Sequence, residues 1–310
     1  MKNAQKRIDK VLHTKRHRKI HTPLEAIIIY GFIGLFMLLV LVPFIVLICS
    51  SFSDSALIRA NGARPWIQGF SLDAYKVVFK YPDEMLHSYL VSVIITVAGT
   101  ILNTVLCAMV AYATARPVFK YRKIVTFFFT FTIMFQAGFI PNYIWYRNFL
   151  NIYDTYWVLI LTPAFVVGHM VLLRAFYSGI SSSLYEAVKI DGGSEFTIFF
   201  KISTPLILPG IATVLFYSVL VYWNDSFTAL LYTDSFTPVS LYLTRVTQYI
   251  EFLKYAQQAG IGGLDFSNMQ LPEDTILYAI AVATTAPMLC IFAVFQRFFV
   301  GGLTAGAIKE

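Results

Sequence analysis

The residues of this 310-residue chain whose types and spacing suit chemistry are few. No Gly-x-x-x-x-Gly-Lys-Ser/Thr loop is present to cradle nucleotide phosphates, no His-Glu-x-x-His pair to hold zinc, and no Gly-x-Ser-x-Gly elbow to present a nucleophile. Catalysis and a resident cofactor are therefore not expected. Cys49, Cys107 and Cys290 each fall inside an apolar run, where they read as small packing residues rather than as a disulfide framework or a zinc site. What remains is recognition chemistry. Trp223, Asn224 and Asp225 place an aromatic plate beside an amide and an acid, and Tyr143, Trp145 and Tyr146 supply further rings. Rings stack on the apolar faces of pyranoses while amides and carboxylates bind hydroxyl groups, so both clusters are candidate sugar contacts. The alternative is that they populate a membrane interface, as Trp and Tyr commonly do.

His169 is the one titratable group well inside an apolar run, either a hydrogen-bonded packing histidine or a substrate or proton contact. Ser92, Thr96, Thr100, Asn103 and Thr104 recur at helical spacing, with Gly99, Cys107 and Ala108 nearby. Such a face marks close helix packing or the lining of a path, and one helix can serve both. Between two apolar runs lies Glu186-Ala187-Val188-Lys189-Ile190-Asp191-Gly192-Gly193-Ser194. Ser183 with Glu186 fits a capping box, Leu184, Ala187 and Val188 share a stripe, and Gly192-Gly193 offers a left-handed stop. Ser194 can then cap a second short helix running through Lys201. An amphipathic helix resting on lipid headgroups would need the same stripe and charges.

The elements that must position these groups are membrane spans. The chain is 57% hydrophobic and only 13% charged, with a mean hydropathy of +0.66, whereas soluble domains are roughly 25% charged. Apolar runs long enough to cross a hydrocarbon core of about 30 Å as helices occupy 26–50, 88–114, 124–142, 156–175, 205–228 and 275–299. The expected fold is thus all-α, integral to the membrane, with six spans. Most of the 24 Lys and Arg fall in the segment before residue 26, at Arg116 to Lys123, at Arg174, Lys189 and Lys201, and at Arg297 and Lys309. Positive-inside bias then places both termini and the Glu186–Gly193 loop in the cytoplasm. The basic segment 1–25, which also holds His13, His17 and His21, reads as a topology determinant and anionic-lipid contact rather than a nucleic-acid site. It does not have the form of a cleavable signal.

Within the spans Asp, Glu, Lys and Arg occur only near the ends, so proton coupling through buried ionisable groups is disfavoured and the driving energy must come from another chain. Prolines 43, 163, 205, 209 and 287 can each kink a span. Pro205 and Pro209 directly follow the polar loop, so a bend there would pass its movement to the fifth span. On the outward side the long connections 51–87 and 230–273, the latter with Gly260-Ile261-Gly262-Gly263, suit contact with another protein or serve as connectors.

The Glu186–Gly193 stretch resembles the cytoplasmic "EAA" loop of importer-type ABC permeases, with Val188 where the family has a second Ala and Gly193 where Ala is commoner. Gly69-Phe70-Ser71-Leu72-Asp73-Ala74-Tyr75 is similar to a segment that follows the first span of sugar-importer permeases. Ala111-Tyr112-Ala113-Thr114-Ala115-Arg116, Trp223-Asn224-Asp225 and the tail from Phe295 to Lys309 resemble further family motifs, the tail being that of the smaller membrane subunit of maltose-type importers. On these residues the chain is identified as a member of the carbohydrate-uptake type I ABC importer permeases, in the complex-oligosaccharide group.

The resemblance implies the type I permease fold, with a core over 88–300, a coupling loop over 176–204 and a cytoplasmic tail over 301–310. It implies that Glu186, Ala187, Val188, Asp191, Gly192 and Gly193 dock an ATPase. The expected substrate path passes Trp223, Asn224, Asp225, Tyr143, Tyr146, Thr100 and Asn103. Implied partners are a second permease in a heterodimer, two ATPase subunits or domains that bind the ATP and Mg, an extracytoplasmic solute-binding protein and membrane lipid. The expected function is import of carbohydrate, an oligosaccharide, by alternating access across a bacterial cytoplasmic membrane. A secondary transporter, or a membrane assembly protein with a docking loop, is the alternative.

Overall fold

The computed structural model describes residues 23–79, 82–135, 137–258 and 274–307. The basic segment as far as residue 22, Gly260 to Gly263, and Ile308 to Glu310 lie outside the described residues. Those described are helical, with no strand among them beyond an isolated antiparallel bridge between Ser53 and Phe70. They divide into two units, one ending at Ser71 and the other beginning at Leu72.

The first unit is dominated by α1 (Pro23–Ser51), a helix apolar on every face whose side chains are exposed nearly throughout. That combination fits a helix solvated by lipid. At its end the hydroxyls of Ser51 and Ser53 donate to the carbonyls of Ile48 and Cys49 at 2.7 and 2.6 Å, which would otherwise lack intrahelical donors. Asp54 then accepts the N–H groups of Ala56 and Leu57 and starts the short α2 (Ser55–Asn61).

The second unit begins with α3 (Asp73–Val78) and the long α4 (Pro82–Ala115). Then come α5 (Arg122–Met134), α6 (Phe139–Ile144) with a π-helical turn at Trp145–Phe149, α7 (Tyr156–Leu161) and α8 (Val167–Ser178). The polar loop supplies α9 (Ser182–Ile190), followed by α10 (Glu195–Thr197), a π-helical turn at Ile198–Ser203, and α11 (Thr204–Leu206). The chain closes with α12 (Leu208–Asn224), α13 (Phe227–Tyr232), α14 (Val239–Gln258) and α15 (Asp274–Ala307).

Three helices among those described are long and apolar enough to cross a membrane unaided, over 24–51, 83–115 and 275–296. Two further helix pairs are long and apolar enough only when taken together, and each is sharply bent. Helices α5 and α6 meet at 110°, and the run from Glu195 to Leu206 meets α12 at 82°. Each break has a local cause: Gly138 stands at φ +86° before α6, a conformation that disfavours a Cβ, and Ile207 sits between Pro205 and Pro209. The run expected as a fourth span over 156–175 is two helices, α7 and α8, parted around Pro163. By contrast Pro43 and Pro287 lie inside unbroken helices.

The connection expected over 230–273 holds α13 and the 20-residue α14. Val239, Leu243, Val246, Ile250 and Leu253 recur at alternating spacings of four and three, the apolar stripe of a helix; Val239, Ile250 and Leu253 are buried. That stripe was present in the sequence, interleaved with polar and charged residues such as Thr244, Arg245 and Glu251.

Helix α4 is the axis of the second unit. Gly99 lets it approach α12 so closely that a Cβ there would stand 2.2 Å from the ring of Tyr222. Ser92 Oγ accepts the first-turn N–H of Val239 at 2.7 Å. Pro287 removes the N–H that would bond the carbonyl of Ala283 four residues back, and Tyr89 O–H donates to that carbonyl at 2.7 Å.

Candidate functional site

The polar loop is built in two helical steps. Helix α9 ends in a Schellman arrangement: Gly193 N–H donates to Val188 O at 2.8 Å, Gly192 N–H to Lys189 O at 3.0 Å, and Gly192 takes φ +81°. At its other end the Ser183–Glu186 capping box does not form. The helix starts earlier, with Ser181 in the extended cap conformation, and the Ser181 and Ser183 hydroxyls bond each other at 2.8 Å instead of a backbone N–H. Ser194 does cap the next step, accepting from Thr197 N–H at 3.2 Å. The second helix passes beyond Lys201 through its π-helical turn to Leu206.

This loop shows two faces. Tyr185, Ile198 and Phe199 are buried in a cluster with Tyr112, Met170, Leu173 and Tyr177. On the other face Glu186, Ala187, Asp191 and Gly192 are exposed, and so are Ile190 (86%), Phe196 (72%) and Phe200 (60%). Between them stands Glu195. Its carboxylate accepts Tyr112 O–H at 2.8 Å, and it pairs with Lys189 Nζ at 2.9 Å and Arg116 Nη2 at 3.4 Å. The Lys189 ammonium, with help from Tyr112 and Arg116, holds the Glu195 carboxyl below the usual range. The Arg116 guanidinium lies 3.8 Å over the Tyr185 ring.

A polar hub joins α4, α8 and α12. Asn103, fully buried, donates through Nδ2 to Pro163 O at 3.1 Å, so its Oδ1 faces Ser218 Oγ at 2.8 Å and His169 Nδ1 at 2.9 Å. Oδ1 can only accept, so His169 carries its proton on Nδ1. Tyr222 O–H donates to Ile160 O at 2.8 Å. Asn103 and Tyr222 thus satisfy carbonyls released where α7 and α8 part, as a break at membrane depth requires. His169 is a hydrogen-bonded packing residue here, and Thr100 is also buried, on α4.

At the far end of α12, Trp223 is buried against Val239 and Met288, its Nε1 donating to Thr284 O at 3.1 Å. Asp225 Oδ1 accepts Thr228 N–H at 2.9 Å and starts α13. Asn224 is exposed and borders a cavity of about 370 Å³ that is also lined by Ser226, Ser240, Thr244, Thr284 and Thr285. Tyr143 and Tyr146 are half-buried around Tyr232, with ring centroids at 6.0 and 5.3 Å. Nearby, Asp154 Oδ1 accepts the N–H groups of Asp234 and Ser235, each at 2.9 Å, and its Oδ2 accepts Ser235 O–H at 2.7 Å. Tyr153 donates to Asp234, which pushes its phenol up to about 12. Of the expected sugar-contact residues, Trp223 and Asn224 border the cavity, Tyr143 and Tyr146 pack around Tyr232 instead, and Asn103 is taken up by the hub. The hydroxyls of Ser240, Thr284 and Thr285 escaped the sequence reading because isolated Ser and Thr carry no distinctive signal.

A long bent-helix membrane protein with an exposed two-step loop is the form of a transport subunit, and similarity to known proteins agrees. No family model matches the chain. It is 34% identical over 284 residues to the polygalacturonan/rhamnogalacturonan transport system permease protein YtcP of Bacillus subtilis, covering 91% of this chain and 97% of that protein. It is 33% identical over 303 residues to protein LplC of the same organism, covering 96% and 99%. A bacterial ABC transporter involved in the import of the acidic polysaccharide alginate contains a chain of the same fold, with a TM-score of 0.74 at 23% identity, over 92% of this chain and 100% of that one. The chain belongs to the ABC transporter permeases, multi-pass proteins of the cytoplasmic membrane.

Proposed function

We propose that this permease imports an oligosaccharide as one half of a heterodimer, with six spans and both termini in the cytoplasm. In this reading α9 is the coupling helix, and Glu186, Ala187, Val188, Asp191, Gly192 and Gly193 dock one of two ATPase subunits that bind the ATP and Mg. The observation that carries it is the exposure of Ile190, Phe196 and Phe200 beside Glu186 and Asp191. Apolar side chains amid charges suit the mixed surface of a protein contact better than lipid tails. The 82° elbow at Ile207 then lets displacement of the loop swing α12, which carries Asn224.

An oligosaccharide is favoured by the polysaccharides named for YtcP and for the alginate importer, and by the chemistry of the cavity at Asn224. Its hydroxyl and amide groups match sugar hydroxyls, while Leu220, Leu243 and Met288 provide apolar wall. The path we propose passes Asn224, with Trp223 and Asp225 holding it in place. Tyr143 and Tyr146 contribute from the side, and Thr100 and Asn103 keep the helices around the path together. An extracytoplasmic binding protein delivers the sugar, the first 25 residues contact anionic lipid, and residues 301–310 form the cytoplasmic tail.

The test is to purify the chain with its companions, reconstitute them in liposomes with the binding protein, and measure uptake of labelled oligosaccharides. A second permease and an ATPase should accompany it. Uptake should require ATP and should fall in Asn224→Leu with the complex intact. Uptake without any ATPase present would instead mark a secondary transporter.

A further inference from the structure

We propose that Glu195 is a positioning residue, a latch that carries movement of α9 to α4. The proposal rests on the reading of α9 as the ATPase-docking helix. One carboxylate joins three separate elements: it sits on α10, binds Lys189 of α9, and receives Tyr112 and Arg116 from the last two turns of α4 and the residue beyond it. Without it, α9 would touch the end of α4 chiefly through Tyr185 beneath Arg116.

The geometry suits a movable contact better than a static brace. The Lys189 pair is half-exposed, at 45% and 51%, and exposed pairs add little to stability. Arg116 is buried, with 8% of its side chain exposed, yet its one ion pair is long, at 3.4 Å. Among the described residues its Nη1 has no hydrogen-bond partner, and neither has the buried hydroxyl of Tyr185. A buried guanidinium that stacks on Tyr185 but has Nη1 unpartnered leaves favourable hydrogen bonding unrealised, whereas arginine and a carboxylate are best matched when two parallel bonds form. A small displacement of α10 toward α4 would close the Arg116 contact, and the opposite displacement would open it. An element with a looser and a tighter arrangement is what a transmitted motion needs. The latch also gives a role to Tyr112 and Arg116, which docking alone leaves unexplained.

The test uses the intact complex in proteoliposomes and reads two quantities: ATPase retained per permease pair, and sugar imported per ATP hydrolysed. Glu195→Ala should retain wild-type ATPase, because Glu186, Ile190 and Asp191 are untouched, while sugar per ATP falls about tenfold. Glu195→Gln keeps an acceptor for Tyr112 and should fall about threefold. Adding Tyr112→Phe to Glu195→Ala should cost nothing more, since both changes act on one contact. If Glu195→Ala does not assemble, the isosteric Gln variant carries the test alone. Unchanged sugar per ATP with ATPase retained would overturn the latch. Loss of ATPase from the Gln variant would overturn it too, making Glu195 a docking residue. Failure of the docking reading itself would show separately, as a Gly192→Pro complex that keeps its full ATPase.

Discussion

Asp154 shows how much one side chain can organise. It adopts φ +55°, which a short polar residue tolerates better than most, and from there its two oxygens gather three donors of Asp234 and Ser235. The Ser235 bonds, backbone and hydroxyl, hold its carboxyl below the ordinary value of 3.8. A carboxylate whose folded value is depressed contributes stability that is present above its unfolded value and is lost as the pH falls through the folded one. The thermal midpoint of the wild type should therefore exceed that of Asp154→Asn at pH 6, and the difference should shrink as the pH drops below about 4. A difference that stays constant down to pH 3 would assign the effect to shape rather than charge. At this scale the sequence is an uneven guide. Gly192 announced its turn, because few residues but glycine suit φ +81°. The cap of α9 did not announce itself, since Ser181, Ser182 and Ser183 are chemically equivalent until the backbone selects one.

Helix α4 explains why so much of the polar inventory of this chain is structural. Three of its polar residues reach backbone groups that neighbouring elements leave unpaired, Ser92 the start of α14, Tyr89 the carbonyl freed by Pro287, and Asn103 the carbonyl at Pro163, while among the described residues the buried hydroxyls of Thr96, Thr100 and Thr104 have no partner. The Tyr89 contact can be isolated. Tyr89→Phe should destabilise the permease in detergent by about 1 kcal/mol. In a Pro287→Ala background, where the backbone N–H returns to Ala283, the same change should cost markedly less. Equal costs in both backgrounds would mean that Tyr89 acts through packing alone. The helices most legible in the sequence were α1, α4 and α15, each an unbroken apolar run. Breaks were harder, because Pro163 parts its helices while Pro43 and Pro287 leave theirs continuous, so a proline in an apolar run does not by itself mark an interruption. Helix α14 went unrecognised because polar and acidic residues overlay its buried stripe.

On the scale of the whole molecule, the proposed transport cycle connects two ends of one bundle. At one end an exposed loop offers Ile190 and Phe196 beside charges; at the other Asn224 opens on a hydroxyl-lined cavity. In that proposal the elbow at Ile207 and the contacts of Glu195 link them, one through α12 and one through α4. Family membership was legible because each of its motifs is a contiguous run of the sequence. The cavity at Asn224 was not, because Ser240, Thr284 and Thr285 meet only in the folded chain. The account stands on the loop being the ATPase contact. Its most direct test places a photo-crosslinking residue at position 190 in the assembled complex, with a second at position 249 on α14 as the control. An adduct with the ATPase is expected from position 190 and none from position 249. A complex that retains its ATPase but yields no such adduct from position 190 would contradict it.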